Sequence, residues 1–127
     1  MQKDTIHTSE LDTVYMTGIQ ALKDLDYKKA VAVLRPYDDY NAALAFMSAD
    51  YNHSALDVLG RLDDTQPKVC YLKAMVLSRL GLIDEALKYF SLSLAYDPSL
   101  KYRANLDPEM FRVVNEYKSI NPNNDEF

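Results

Sequence analysis

The groups in this 127-residue sequence that could do chemistry are two histidines, one cysteine and several adjacent carboxylates. His53 with Asp50 is half of a metal site at most, because no further His or Cys follows at ligand spacing. His7 sits in a polar leader where water solvates it. Cys70 could act as a thiolate nucleophile only with a base beside it, and no histidine is near it in sequence. It falls instead on an apolar packing position, which predicts an inert buried thiol. Asp38-Asp39, Asp63-Asp64 and Asp84-Glu85 have the spacing for paired acid–base work. All three pairs, however, lie at helix starts or turns, where negative charge complements the helix dipole. Gly18, Gly60 and Gly81 each stand alone, so no glycine-rich loop cradles a phosphate. Asn52-His53-Ser54 is a chance-level glycosylation sequon. The expectation is a protein that is not an enzyme and has no cofactor and no metal.

Composition narrows the partners. Fourteen Lys and Arg stand against 19 Asp and Glu, a formal charge of −5, which disfavours nucleic acid and anionic membrane. A hydrophobic content of 48% supplies a core, and one cysteine makes no internal disulfide. No apolar run approaches the roughly 18–20 residues that cross a bilayer, so no direct membrane insertion is expected. The polar first nine residues do not form a secretory signal, which suggests a cytoplasmic chain as written. If the segment is cut from a longer exported protein, the compartment becomes the cell envelope or periplasm. Residues 120–127 read as a frayed acidic tail.

The elements that must position any site are helices. Val14, Gly18-Ile19, Leu22 and Leu25 recur every three to four residues as one expected buried stripe. Tyr27, Ala30, Val31 and Leu34 repeat the spacing, and Pro36 should end that helix. A third helix is expected from about Asp38 to Ser48, and a fourth carries Ala55, Val58, Leu59 and Leu62. Pro67 suits the first position of a fifth helix, with Val69, Leu72, Met75, Val76 and Leu80 following and Gly81 stopping it in a left-handed cap. A sixth runs from about Ile83 to Tyr96 and is closed by Pro98. Asp107-Pro108-Glu109 opens a last helix, with Met110, Phe111 and Val114 turned inward. About seven helices and no strands predict an all-α fold.

A short pattern returns at the second helix of each pair: Asp26-Tyr27-Lys28-Lys29-Ala30-Val31, Asp50-Tyr51-Asn52-His53-Ser54-Ala55-Leu56 and Leu82-Ile83-Asp84-Glu85-Ala86-Leu87. With Ala74, Gly81, Phe90 and Asp97-Pro98, the third unit resembles the tetratricopeptide repeat, a helix-turn-helix of about 34 residues. Cys70 and Ser93 depart from that pattern, and the middle unit is short. The resemblance implies about three antiparallel helix pairs stacked as a short right-handed superhelix over residues 10–36, 37–66 and 67–100. Residues 107–119 then form a capping helix and residues 1–9 a flexible leader. A second resemblance, from Tyr40 through Pro108, is to repeat tails of larger bacterial cell-envelope proteins.

Transferring the family's groove positions gives Tyr15, Ile19, Leu22 and Lys23 in the first unit and Lys68, Tyr71, Met75, Ser78 and Arg79 in the third. In the middle unit the register is open, and Tyr40 is the candidate. Tyrosine, methionine and arginine bury large areas at modest entropic cost, which suits a contact surface. Tyr15, Ile19 and Leu72 occupy positions where chaperone-tail-binding repeats use Lys or Asn, so that subclass is disfavoured. The resemblance therefore implies a scaffold that grips a partner protein or peptide in a concave groove. Joint substitution of Tyr71 and Arg79 is expected to abolish capture while leaving helicity intact. The alternative is a docking or spacing segment of a longer envelope protein. The open end of the stack also leaves room for a homodimer.

Overall fold

The computed structural model describes the backbone of residues 3–122 and the side chains from Thr13 onward. His7 and the tail residues 123–127, read above as a solvated histidine and a frayed end, lie outside that description. The fold is all-α, with eight α-helices and no strand among the described residues. They are α1 (Lys3–Lys23), α2 (Tyr27–Leu34), α3 (Tyr40–Ser48), α4 (Asn52–Leu59), α5 (Pro67–Arg79), α6 (Ile83–Tyr96), α7 (Leu100–Leu106) and α8 (Phe111–Ile120). Short 3-10 turns at Arg35–Tyr37 and Pro108–Met110 lead into α3 and α8. The chain divides into two compact units, Met1–Val58 and Leu59–Phe127.

In the amino-terminal unit, α1 packs on α2 and α2 on α3. The backbone is helical from Lys3, ahead of the apolar period that marks a helix only from Glu10. Once nucleated, each added residue gains one backbone hydrogen bond and needs no apolar contact, so polar residues can extend a helix. The expected stripe of α1 holds at Gly18, Ile19 and Leu22, joined by Tyr15 and the buried Ala21, whereas Val14 and Leu25 are exposed. Gly18 is needed for close approach. A Cβ there would stand 2.6 Å from Leu34 Cγ and Cδ2 and 2.9 Å from Val33 Cγ1. Leu34 is itself fully buried.

In the carboxy-terminal unit α5 pairs with α6, and α8 packs across α6. Every residue of α5 from Val69 to Ser78 is buried. Pro67 and Pro98 bound the pair as expected. The eighth helix, α7, has no counterpart in the sequence reading, because only Ala104 of its seven residues is buried and no apolar period marks it. In α8 the inward residues are Val113 and Val114 after Met110, whereas Phe111, expected inside, is exposed.

Three helix turns share one geometry. Leu25, Asp50 and Gly81 have φ of 62°, 68° and 78°. The next residue's N–H reaches back to a first-helix carbonyl each time: Asp26 to Ala21 at 2.8 Å, Tyr51 to Phe46 at 2.8 Å and Leu82 to Leu77 at 2.9 Å. This is the left-handed helix ending in which the N–H beyond the cap satisfies an orphan carbonyl. Only Gly81 has the residue type for which that conformation is cheap. Five residues beyond each turn stands a fully buried alanine, Ala30, Ala55 or Ala86, and seven residues before it stands Gly18, Ala43 or Ala74. Small residues at both places suit the close approach of α1 to α2 and of α5 to α6, the two pairs in contact. The three turns thus share one local geometry and one spacing of small residues.

Candidate functional site

Counted back from the left-handed residue of each hairpin, equivalent first-helix positions are occupied by Tyr15, Tyr40 and Tyr71; by Ile19, Leu44 and Met75; by Leu22, Met47 and Ser78; and by Lys23, Ser48 and Arg79. Tyr40 is therefore the middle counterpart of Tyr15 and Tyr71. Leu44, Met47 and Ser48 are members of the same face that the sequence reading left out. Their signal is the distance to Asp50, but an aspartate does not advertise a left-handed turn as a glycine does.

The face differs between the units. In the amino-terminal unit Lys23 is exposed, and Tyr15, Ile19, Tyr40 and Leu44 are half-buried. The Tyr15 ring stands edge-on to Tyr37 at 4.8 Å. Its hydroxyl donates to Asp39 Oδ2 at 2.7 Å and accepts from Asn41 Nδ2 at 2.7 Å. Burial pushes the Tyr15 phenol above its ordinary pKa; the Asn41 hydrogen bond opposes this, and the Asp39 carboxylate adds to it. The other oxygen of Asp39 accepts from Ala42 N at 2.9 Å and so caps α3.

In the carboxy-terminal unit Tyr71, Met75 and Ser78 are buried, at 2%, 6% and 8% exposure, and do not line an open groove. Residues 103–109 lie over Tyr71 and Arg79. Tyr71 donates its hydroxyl to Asp107 Oδ2 at 3.2 Å, and the Arg103 guanidinium stands 4.7 Å from the Tyr71 ring centroid. Arg79 donates Nε to Glu109 Oε2 at 2.7 Å and pairs with it as a salt bridge. Asp107 Oδ1 accepts from Glu109 N at 3.0 Å, capping the turn into α8. The two units thus use one device: the first-helix tyrosine donates to one oxygen of an aspartate whose other oxygen caps the next first helix. Lys68 and Arg79 remain exposed.

The groups singled out for chemistry are spread apart or engaged. Cys70 is fully buried, and its Sγ donates to the Asp64 carbonyl at 2.9 Å. Burial pushes its thiol pKa up, with the Asp64 charge adding to the effect, so the thiolate is suppressed. Asp63 accepts from the Thr65 N–H at 2.9 Å and hydroxyl at 2.8 Å, which lower its pKa. Lys73, a buried cation, reaches Asp64 Oδ1 at 2.8 Å and lies 4.4 Å from the Tyr89 ring centroid. His53 is exposed on α4. Among the described residues, no group of three or more His, Cys, Asp or Glu could hold a metal ion, and no helix is long and apolar enough to cross a membrane. No family model and no curated protein matches the chain.

Proposed function

We propose that this chain is a non-enzymatic helical-repeat module of tetratricopeptide type, which holds a partner protein or peptide against its first-helix face. The observation carrying this reading is the threefold recurrence of one helix turn, left-handed at Leu25, Asp50 and Gly81, with a tyrosine at the same position ahead of it each time. One hairpin cannot bury both of its sides, so such units gain stability from neighbours and leave one face for contact. In the amino-terminal unit that face comprises Tyr15, Ile19, Lys23 and Tyr40 with Leu44, where side chains are half or fully accessible. In the other unit Lys68 is exposed, while Arg79 is engaged by Glu109.

The test is affinity capture from the native host with the wild type and a Lys23→Glu/Tyr40→Ala variant. A species retained by the wild type and lost from the variant, at unchanged far-UV circular dichroism, supports the reading. Equal retention by both proteins contradicts it. Joint substitution of Tyr71 and Arg79 does not serve here, because both side chains hold the segment from Arg103 to Glu109 in place.

One observation favours a second reading. The third hairpin's contact face is filled by the chain's own Asp107 and Glu109, so that part of the molecule spaces or docks rather than grips. On this reading the chain is a structural repeat segment of a longer cell-envelope protein. It gains weight if the Lys23→Glu/Tyr40→Ala variant captures everything the wild type does.

A further inference from the structure

Two segments of the chain, residues 35–41 and 103–109, follow one pattern. Arg35, Asp39 and Asn41 in the first stand at the places of Arg103, Asp107 and Glu109 in the second. Both arginines lie over an aromatic ring, Arg35 at 6.0 Å from the Phe46 centroid and Arg103 at 4.7 Å from that of Tyr71. Both aspartates divide their oxygens between a tyrosine hydroxyl, that of Tyr15 or Tyr71, and the backbone N–H they cap.

The segments differ in charge at their last residue. Glu109 pairs with Arg79, two residues before the left-handed Gly81. Asn41 is uncharged, and its amide donates to the Tyr15 hydroxyl at 2.7 Å. Two residues before the left-handed Leu25 stands Lys23, which therefore has the place of Arg79 without the glutamate. Lys23 is exposed, and among the described residues no carboxylate pairs with it. The acids nearest to it in sequence are engaged elsewhere. Asp24 accepts from Gln20 Nε2 at 3.0 Å, and Asp26 caps α2 through Lys29 N at 3.3 Å.

We infer that the partner supplies the missing carboxylate: the polypeptide segment held on the amino-terminal face presents an Asp or Glu side chain to Lys23, as Glu109 presents one to Arg79. This rests on the reading of that face as a partner's seat and names the chemistry of the segment that fits it. Lys23 lies one turn beyond Ile19 and two beyond Tyr15 on α1, both half-buried, so the acid adds a charge-assisted hydrogen bond beside an apolar contact. Such a contact selects and orients a segment more than it holds it. An exposed ion pair contributes little alone, whereas a basic residue set against Lys23 is repelled.

Selection on the immobilised full chain tests this, using a random peptide library displayed without a free carboxy terminus, so that any carboxylate comes from a side chain. Peptides retained by the wild type are expected to share an Asp or Glu at one position. Lys23→Glu should turn the preference there to Lys or Arg. For one selected peptide, Lys23→Gln should weaken binding about two- to fivefold and Lys23→Glu about tenfold or more. Exchanging the peptide's acid for Lys should restore its binding to the Lys23→Glu variant. Circular dichroism confirms that each variant folds. Peptides that lose binding with Tyr40→Ala but show no acidic preference, or ignore the charge at residue 23, overturn the inference and leave the seat standing. Peptides indifferent to both residues, or a library from which nothing is retained, overturn the seat as well.

Discussion

The tyrosine–aspartate contacts are the residue-scale feature on which the hairpins depend. Tyr15 to Asp39 and Tyr71 to Asp107 each join a first helix to the cap of the next, across 24 and 36 residues of sequence. Tyr71→Phe should cost about 1 kcal/mol in chemical denaturation, and in a double-mutant cycle with Asp107→Ala the two changes should be non-additive. Tyr15 titrates above a free tyrosine because its ionised form is disfavoured where it is buried beside Asp39. Its contribution to stability is then complete below the unfolded phenol pKa of about 10 and is lost as pH rises through the higher folded value. Ultraviolet-monitored alkaline titration of wild type and Tyr15→Phe checks this: the wild type should lose stability more steeply than the variant in that window. Cys70 should react with an aromatic disulfide reagent only as fast as the protein opens, since its thiol is buried, hydrogen-bonded and raised in pKa. Rapid native labelling would contradict that burial.

At the scale of the element, the hairpin turns carry an uneven strain. The space a Gly81 Cβ would occupy is open for 4 Å around, so Gly81→Ala tests backbone conformation alone and should cost on the order of 1 kcal/mol. Leu25 occupies the equivalent place with a positive φ and an exposed side chain, and Leu25→Gly should be neutral or stabilise by up to about 1 kcal/mol. Gly18→Ala drives a methyl into Leu34 and should destabilise by about 1–3 kcal/mol. Thermal denaturation of the three variants ranks them. The same elements show what a sequence can reveal. The bounds of α5 and α6 were legible because Pro67, Gly81 and Pro98 state them chemically. The turns at Leu25 and Asp50 were half-legible, since neither residue type advertises φ above zero. Helix α7 was invisible, having one buried residue and no period.

On the scale of the whole molecule, the sequence revealed the helical class but not which of the candidate face residues are accessible. Tyr71 and Met75 have the composition of a contact surface, and only folding reveals that residues 103–109 cover Tyr71. Burial of that kind depends on contacts distant in sequence, which local periodicity does not encode. Phe90 illustrates the dependence: it is fully buried and meets Tyr71 at 6.5 Å and Tyr117 at 5.5 Å between ring centroids. Truncation after Ser99 removes Tyr117 and Asp107 together, and should lower Tm and raise binding of a hydrophobic dye. The central proposal, a partner held on the first-helix face of the amino-terminal unit, is tested most directly by hydrogen–deuterium exchange on the captured complex. Added protection across residues 15–23 and 40–48 is the result expected. A complex that forms while those residues exchange as in the free protein would contradict the account.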